Sequence, residues 1–225
     1  MQRAREVRTG YDRHDPEHRA MALTGGCTRD TDRCADARDY QVDLRECCRG
    51  HLRQLMVNAV AALRAAGITF WLDYGSLLGA VRNPLLGLPA GLIPHDKDVD
   101  LGIFGCGFEA MRRVQQQVEQ QGHQVLLRPM GRSLKVRLSA RNHTNLDLFL
   151  WRERADGKLH RDRYIAVDDF KGREFPKTAL FPLTTVEWEG MSLPAPRDPA
   201  AFCAFRYGPD WMTPIRANND GQRRP

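Results

Sequence analysis

The chain has 225 residues, 42% hydrophobic and 28% charged, and its 34 lysines and arginines against 28 acids leave a net charge of +6 and a pI near 9.2. That length buries one good core, so one domain with a small appendage is expected. The cationic surplus suits an anionic substrate such as a nucleotide, but the arginines are scattered and form no stripe, which argues against a nucleic-acid partner.

Residues 1–25 are polar, arginine-rich and without period, which predicts a flexible arm. Met1 to Arg8 lack the apolar centre of a secretory signal, and no run approaches the roughly eighteen apolar residues of a membrane span. As it stands the chain reads as soluble and cytoplasmic, with no membrane span.

Cys27, Cys34, Cys47 and Cys48 cluster, while Cys106 and Cys203 stand alone. Four thiolates match a tetrahedral structural Zn2+ site, and the polar residues between Cys27 and Cys34 suit a loop wrapped around the ion. Two disulfides are the competing reading, and the adjacent pair Cys47 and Cys48 fits neither template well.

From Leu44 to Ala66 apolar residues recur at three- and four-residue steps, predicting a helix with Asp43 as N-cap and Gly67 as terminator. Ile68 to Leu72, β-branched and aromatic after a glycine, predicts a buried strand, which Tyr74-Gly75-Ser76 turns into a short helix through Arg82. Backbone N–H groups at that helix start, with the Ser76 hydroxyl, suit a phosphate. A plain turn and cap is the alternative.

Residues 83–95 hold three prolines and two glycines and predict a loop, a flexible lip leading to a strand over Asp98 to Phe104. Successive side chains of a strand point to opposite faces, so Asp98 and Asp100 project together while Val99 and Leu101 turn to the buried side. Two carboxylates so placed repel unless a cation lies between them, and their oxygens suit Mg2+ or Mn2+. A solvated acidic face is the competing reading.

Phe108 to Gln121 predicts a helix closed by Gly122, and Gln124 to Leu127 resumes extended structure. Leu134 to Leu138 alternates, with Lys135 and Arg137 outward, placed either to meet a pyrophosphate or to face solvent. Asn145 to Trp151 predicts a strand in which Asp147 stands between leucines, a costly place for an acid that is neither paired nor metal-bound. Backbone donors at a strand end would also satisfy it. Val186 to Pro194 predicts a hairpin, Asp198 caps a short helix through Phe205, and the chain frays after Pro214.

Three segments, Tyr74-Gly75-Ser76-Leu77-Leu78-Gly79-Ala80-Val81-Arg82, Ile93-Pro94-His95-Asp96-Lys97-Asp98-Val99-Asp100-Leu101-Gly102 and Leu146-Asp147-Leu148-Phe149, resemble in order and spacing the LicD/fukutin family of nucleotidyltransferase-fold enzymes. Asn142-His143, Phe175-Pro176 and Phe205-Arg206-Tyr207-Gly208-Pro209 resemble its fukutin-related members, as does the cysteine pattern, which in them binds zinc. The resemblance implies an α+β fold, a nucleotidyltransferase-like mixed β-sheet flanked by helices. It implies a catalytic domain over residues 26–216 with a small N-terminal zinc-binding loop at 27–48, and leaves 217–225 as a flexible tail.

The same resemblance implies that Asp98 and Asp100 hold Mg2+, that Asp147 completes an acidic triad, and that Cys27, Cys34, Cys47 and Cys48 hold structural Zn2+. It implies transfer of a phosphorylated alcohol (ribitol 5-phosphate first, phosphocholine or glycerol phosphate as others) from a CDP-alcohol donor to a glycan hydroxyl, releasing CMP. Gly75, Ser76, Arg82, Lys135 and Arg137 are the candidate substrate contacts, Asp147 the acceptor of the hydroxyl proton, and Asp96 an accessory acid. Self-association is left open, and a Golgi lumen would require an N-terminal anchor. His95 stands where relatives usually have tryptophan, Lys97 where an acid or aromatic is common, and the loop from Pro84 to Ala90 is longer, departures that touch the rim and so the choice of donor and acceptor. Two other readings keep the residues: a nucleotidyltransferase using a nucleoside triphosphate, and a non-catalytic zinc-containing binding module.

Overall fold

The computed structural model describes Cys27, residues 43–127, 133–142, 144–161 and 174–214, and the backbone of 216–217 and 223–224. The expected arm over 1–25, Cys34 and most of the expected tail lie outside these residues.

The first helix, α1, spans Glu46–Ala65. Its stripe of Leu52, Leu55, Met56, Ala59 and Leu63 is buried, as one apolar face of a 3.6-residue period should be. Asp43 is not its cap. Arg45 occupies that position without a side-chain bond, because Leu44 N donates to Pro94 O at 2.5 Å and holds the chain extended past the point where Asp43 would have started the helix. Strand β1 (Thr69–Leu72) follows, then α2 (Tyr74–Leu85), which runs three residues beyond Arg82 and carries Pro84 in its last turn. Asn83 Nδ2 donates to Leu92 O at 3.2 Å and secures that end, where Pro84 removes a helical hydrogen bond.

The remaining elements are β2 (Asp98–Phe104), α3 (Phe108–Gln120), β3 (Gln124–Leu127), β4 (Ser133–Arg137), β5 (Asn145–Glu153), β6 (Lys158–Arg161), β7 (Glu174–Pro176), α4 (Lys177–Leu180), β8 (Thr184–Trp188), β9 (Met191–Ala195), α5 (Pro199–Tyr207), β10 (Arg216–Ala217) and β11 (Arg223–Arg224). The last two pair within and beside the expected tail. Glu189 and Gly190, at φ 48° and 78°, form the two-residue turn between β8 and β9, a twist that suits a tight hairpin.

The main sheet runs β1-β2-β5-β4-β3, with β6 continuing β5 and β7 beyond it. The central β2–β5 pair is parallel and every other pairing antiparallel, so the sheet is mixed as expected. One face carries Val99, Leu101, Ile103, Leu146, Leu148 and Leu150, all 0–2% exposed, beneath α1 and α3. Each such side chain contributes on the order of 2 kcal/mol on burial. The other face carries the acids; α2, α5 and the β8–β9 hairpin cover part of it, over a layer of buried Trp71, Trp151 and Phe175. No described helix is long and apolar enough to cross a membrane.

Candidate active site

Strand register assembles the acidic cluster. Parallel pairing of β2 with β5 sets Asp100 directly beside Asp147 and Asp98 beside Asn145, and the pleat turns all four toward α2. One ligand oxygen from each of Asp98, Asp100 and Asp147 lies within 4.8 Å of the others. Asp98 and Asp100 are each half-buried. Burial raises both pKa values; Asp147 raises Asp98 further, and Asp98, Asp147 and Asp96 raise Asp100 well above the carboxylate range. Asp96 belongs to the same cluster. Burial and the neighbouring Asp98 push it up to about 7, against the opposing field of Arg82.

The donor set fits a small hard cation. It is all oxygen, it converges, and its mutual repulsion is relieved by positive charge, which describes a Mg2+ or Mn2+ site. Asp147 contributes with one oxygen engaged elsewhere: its Oδ2 accepts from Lys135 Nζ at 2.8 Å and from Asn145 Nδ2 at 3.3 Å.

The start of α2 closes against this cluster. Asp73, 0% exposed, caps the helix, its Oδ1 accepting from Tyr74 N at 3.0 Å. Gly75 is required by close approach: a Cβ there would stand 2.5 Å from Asp96 Oδ2 and 3.7 Å from Asp100 Oδ2. Ser76 is buried, and its Oγ accepts from Asp100 N at 2.8 Å, so the hydroxyl already serves to register the acidic strand against the helix.

Arg82 is also buried. Its Nη1 donates to Trp211 O at 3.4 Å, its Nε has no hydrogen-bond partner among the described residues, and burial lowers its pKa against the field of Asp96. Lys135 faces the acids in the ion pair with Asp147, and Arg137 lies one position along the same face, opposite Asn145. The structure therefore brings Gly75, Ser76, Lys135 and the three acids together, sets Arg82 behind Asp96, and leaves Arg137 at the margin.

A family model described as LicD/FKTN/FKRP, nucleotidyltransferase domain, matches residues 67–198, which span the acidic strands, the α2 turn and the β8–β9 hairpin. The chain belongs to that family. It is 32% identical over 199 residues to the ribitol 5-phosphate transferase FKRP of Homo sapiens, covering 82% of this chain and 38% of that protein. It is 28% identical over 171 residues to the ribitol-5-phosphate transferase FKTN of Mus musculus, covering 75% and 34%. The chain thus spans well under half the length of these relatives. Among solved structures, the lincosamide antibiotic adenylyltransferase LnuA, lincomycin-bound, aligns with a TM-score of 0.42 and 14% identity over 63% of this chain and 78% of that one.

In this LicD-family chain the cysteines gather at the opening of α1. Cys27 and Cys47 are joined as a disulfide with Cα atoms 5.9 Å apart, and Cys48 Sγ lies 3.9 Å from Cys27 Sγ. All three sulfurs fall within 4.8 Å of one another, so the convergence that zinc or a disulfide each needs is present. Cys34 is outside the described residues.

Several residues of this site escape sequence reasoning. Asp73 is held by Arg206 Nη2 at 2.8 Å and by Trp151 Nε1 at 3.1 Å, an ion pair with side chains 0% and 2% exposed. The Arg206 guanidinium lies 4.0 Å from the centre of the Tyr74 ring, with Phe202 and Trp151 beside it, and these π faces account for the few hydrogen bonds it makes. Tyr74 takes a left-handed φ of 39°, an unfavourable backbone for tyrosine that its ring contacts to Arg206 and Phe149 and the hydrogen bond from Arg161 Nη1 to its hydroxyl at 2.6 Å hold in place. Asp73 had one sequence signal, an acid immediately before a helix start. Arg206 had only its place in the last turn of α5, which says nothing of a partner at the cap of α2.

Proposed function

We propose that this chain is the catalytic unit of a divalent-metal-dependent phosphotransferase that moves a phosphorylated alcohol, ribitol 5-phosphate in preference to phosphocholine or glycerol phosphate, from a CDP-alcohol to a glycan hydroxyl. The observation that carries the reading is the convergence of Asp98, Asp100 and Asp147 beside the Gly75 helix start. The names of the FKRP and FKTN relatives support the transferred group.

Mg2+ or Mn2+ held by those three acids would supply charge neutralisation at the donor pyrophosphate. The N–H groups at the α2 start point the positive end of the helix at the same place and bind phosphate oxygen, with Gly75 permitting close approach. Arg82 adds a buried cation behind them. The acceptor oxygen forms a bond to the transferred phosphorus as the bond to the CMP oxygen breaks, so CMP leaves with the electron pair. The acceptor's proton passes to a carboxylate. Asp96, whose Oδ2 lies with that of Asp100 against the Gly75 turn, suits that role better than Asp147, whose Oδ2 is committed to Lys135 and Asn145. Positioning and charge supply most of the acceleration in such a transfer.

The cysteine cluster, in this reading, is structural and fastens the N-terminal loop to α1, through zinc when Cys34 joins the three sulfurs. Metal analysis of protein purified under reducing conditions distinguishes one zinc per chain from the Cys27–Cys47 disulfide. The function is tested by incubating the protein with CDP-ribitol, CDP-glycerol, CDP-choline and nucleoside triphosphates in the presence of Mg2+. CMP released from CDP-ribitol and abolished by chelation is expected; pyrophosphate from a triphosphate without CMP release would overturn the reading.

A further inference from the structure

Glu189 stands at the tip of the β8–β9 hairpin, far in sequence from the acids, yet it is among the most heavily engaged side chains described. Its Oε1 accepts from Leu92 N at 2.9 Å and from Arg49 Nη2 at 2.9 Å, and its Oε2 accepts from Arg53 Nε at 2.5 Å. Its own backbone N donates to Ala90 O at 2.9 Å. The side chain is 6% exposed, so this is a buried carboxylate compensated by two cations from α1 and one backbone donor from the loop.

The loop it grips is the one that delivers the acidic strand. Gly91 takes φ 145°, and a Cβ there would run into the Glu189 carboxylate; a Cβ on Gly79 of α2 would in turn run into Gly91 O. On the far side Asn83 Nδ2 holds Leu92 O at 3.2 Å. Residues 90–92 are therefore clamped between the hairpin tip and α2, and Asp96 N closes a turn onto Ile93 O at 3.0 Å directly before Asp98 begins β2. A shift of the Leu92 backbone would move the turn that bears Asp96 and the entry of the strand that bears Asp98 and Asp100.

We propose that Glu189 is a positioning residue for the metal-binding acids: its carboxylate, anchored by Arg49 and Arg53, fixes the Ala90–Leu92 loop and through it the approach of Asp98 and Asp100 toward Asp147. The proposal rests on the metal-site reading above. The rival account is that burial of Leu92 and Ile93, 3% and 5% exposed, holds the loop by itself and that Glu189 only stabilises the hairpin.

Mn2+ titration of the full chain, with free Mn2+ followed by electron paramagnetic resonance and folding by thermal melting, separates the two. The wild type binds Mn2+; Glu189→Ala binds it about tenfold more weakly, the size of effect expected when the support of a metal ligand is removed. Arg53→Ala, which removes one anchor from a half-exposed position, shifts affinity in the same direction by less. Trp188→Phe disturbs the same hairpin from its buried side, lowers the melting temperature and keeps wild-type affinity. Wild-type affinity in folded Glu189→Ala overturns the proposal, as does wild-type affinity in Arg53→Ala should Glu189→Ala not fold. Equal weakening in Trp188→Phe overturns it in favour of general destabilisation. A wild type that binds no Mn2+ overturns the metal-site reading itself, and the proposal falls with it.

Discussion

The two faces of the central sheet are made by the same strands and obey opposite rules. Along β2, Val99, Leu101 and Ile103 enter an apolar layer under α1 and α3, while Asp98 and Asp100 enter a partly covered layer of charge under the α2 start. The first layer is non-directional: volume and apolarity suffice, and several arrangements of side chains would fill it. The second is directional, since each buried charge needs a specific partner at hydrogen-bond distance or a cation, and one lost partner leaves an uncompensated group. Stability is therefore expected to be spread over the first face and concentrated in a few contacts on the second.

The sharpest break between the faces is Asp100→Asn. It should reduce transfer by at least about a thousandfold, because charge stabilisation of the donor is lost, while the melting temperature holds or rises as repulsion among the acids is relieved. CMP release and a thermal melt on the same sample check both halves; a stability loss with retained turnover would reverse the assignment.

Arg206→Ala comes next. It strands Asp73 without its cation in a fully buried place and should destabilise the fold by about 3–5 kcal/mol, read by urea denaturation. On the apolar face, Leu101→Ala should cost roughly 2–5 kcal/mol by leaving a cavity, and the folded fraction should keep its Mn2+ affinity.

A smaller effect separates the faces by pH. Asp96 titrates near 7 in the metal-free folded protein against an ordinary 3.8, so between those values the native state binds more protons than the unfolded one. The contribution of Asp96 to stability should fall as pH rises from about 4 to about 7 and level off above. Saturating Mg2+ should restore it at high pH; urea midpoints at pH 5 and pH 8, with and without the ion, test this, and a profile that Mg2+ leaves unchanged would separate Asp96 from the metal cluster. Smallest of all, Glu174→Gln breaks an exposed ion pair with Arg154 outside both layers and should change stability by less than about 1 kcal/mol.

Much of this was legible before any coordinates. The strands from Asp98 and Asn145, the α3 helix and the β8–β9 hairpin lie within a residue or two of where periodicity and turn residues set them, because those signals are local. Asp43 failed as a cap for a reason no local pattern carries, the bond from Leu44 N to Pro94 O across the chain. Ser76 was legible as a site residue, but its bond to Asp100 N was not.

The sequence by itself determined which residues alternate inward and outward on each strand and where α2, α3 and α5 start, since pleat and helical period act over a few neighbouring residues. Only the tertiary structure decided the register that sets Asp147 directly beside Asp100, that Arg206 neutralises Asp73, and that Glu189 joins Arg49 across 140 residues to hold the loop before the acidic strand. Those pairings depend on strand register and on helices docking from distant parts of the chain, and the free energy that selects them comes from burying apolar faces together, with no local pattern at either partner to announce it.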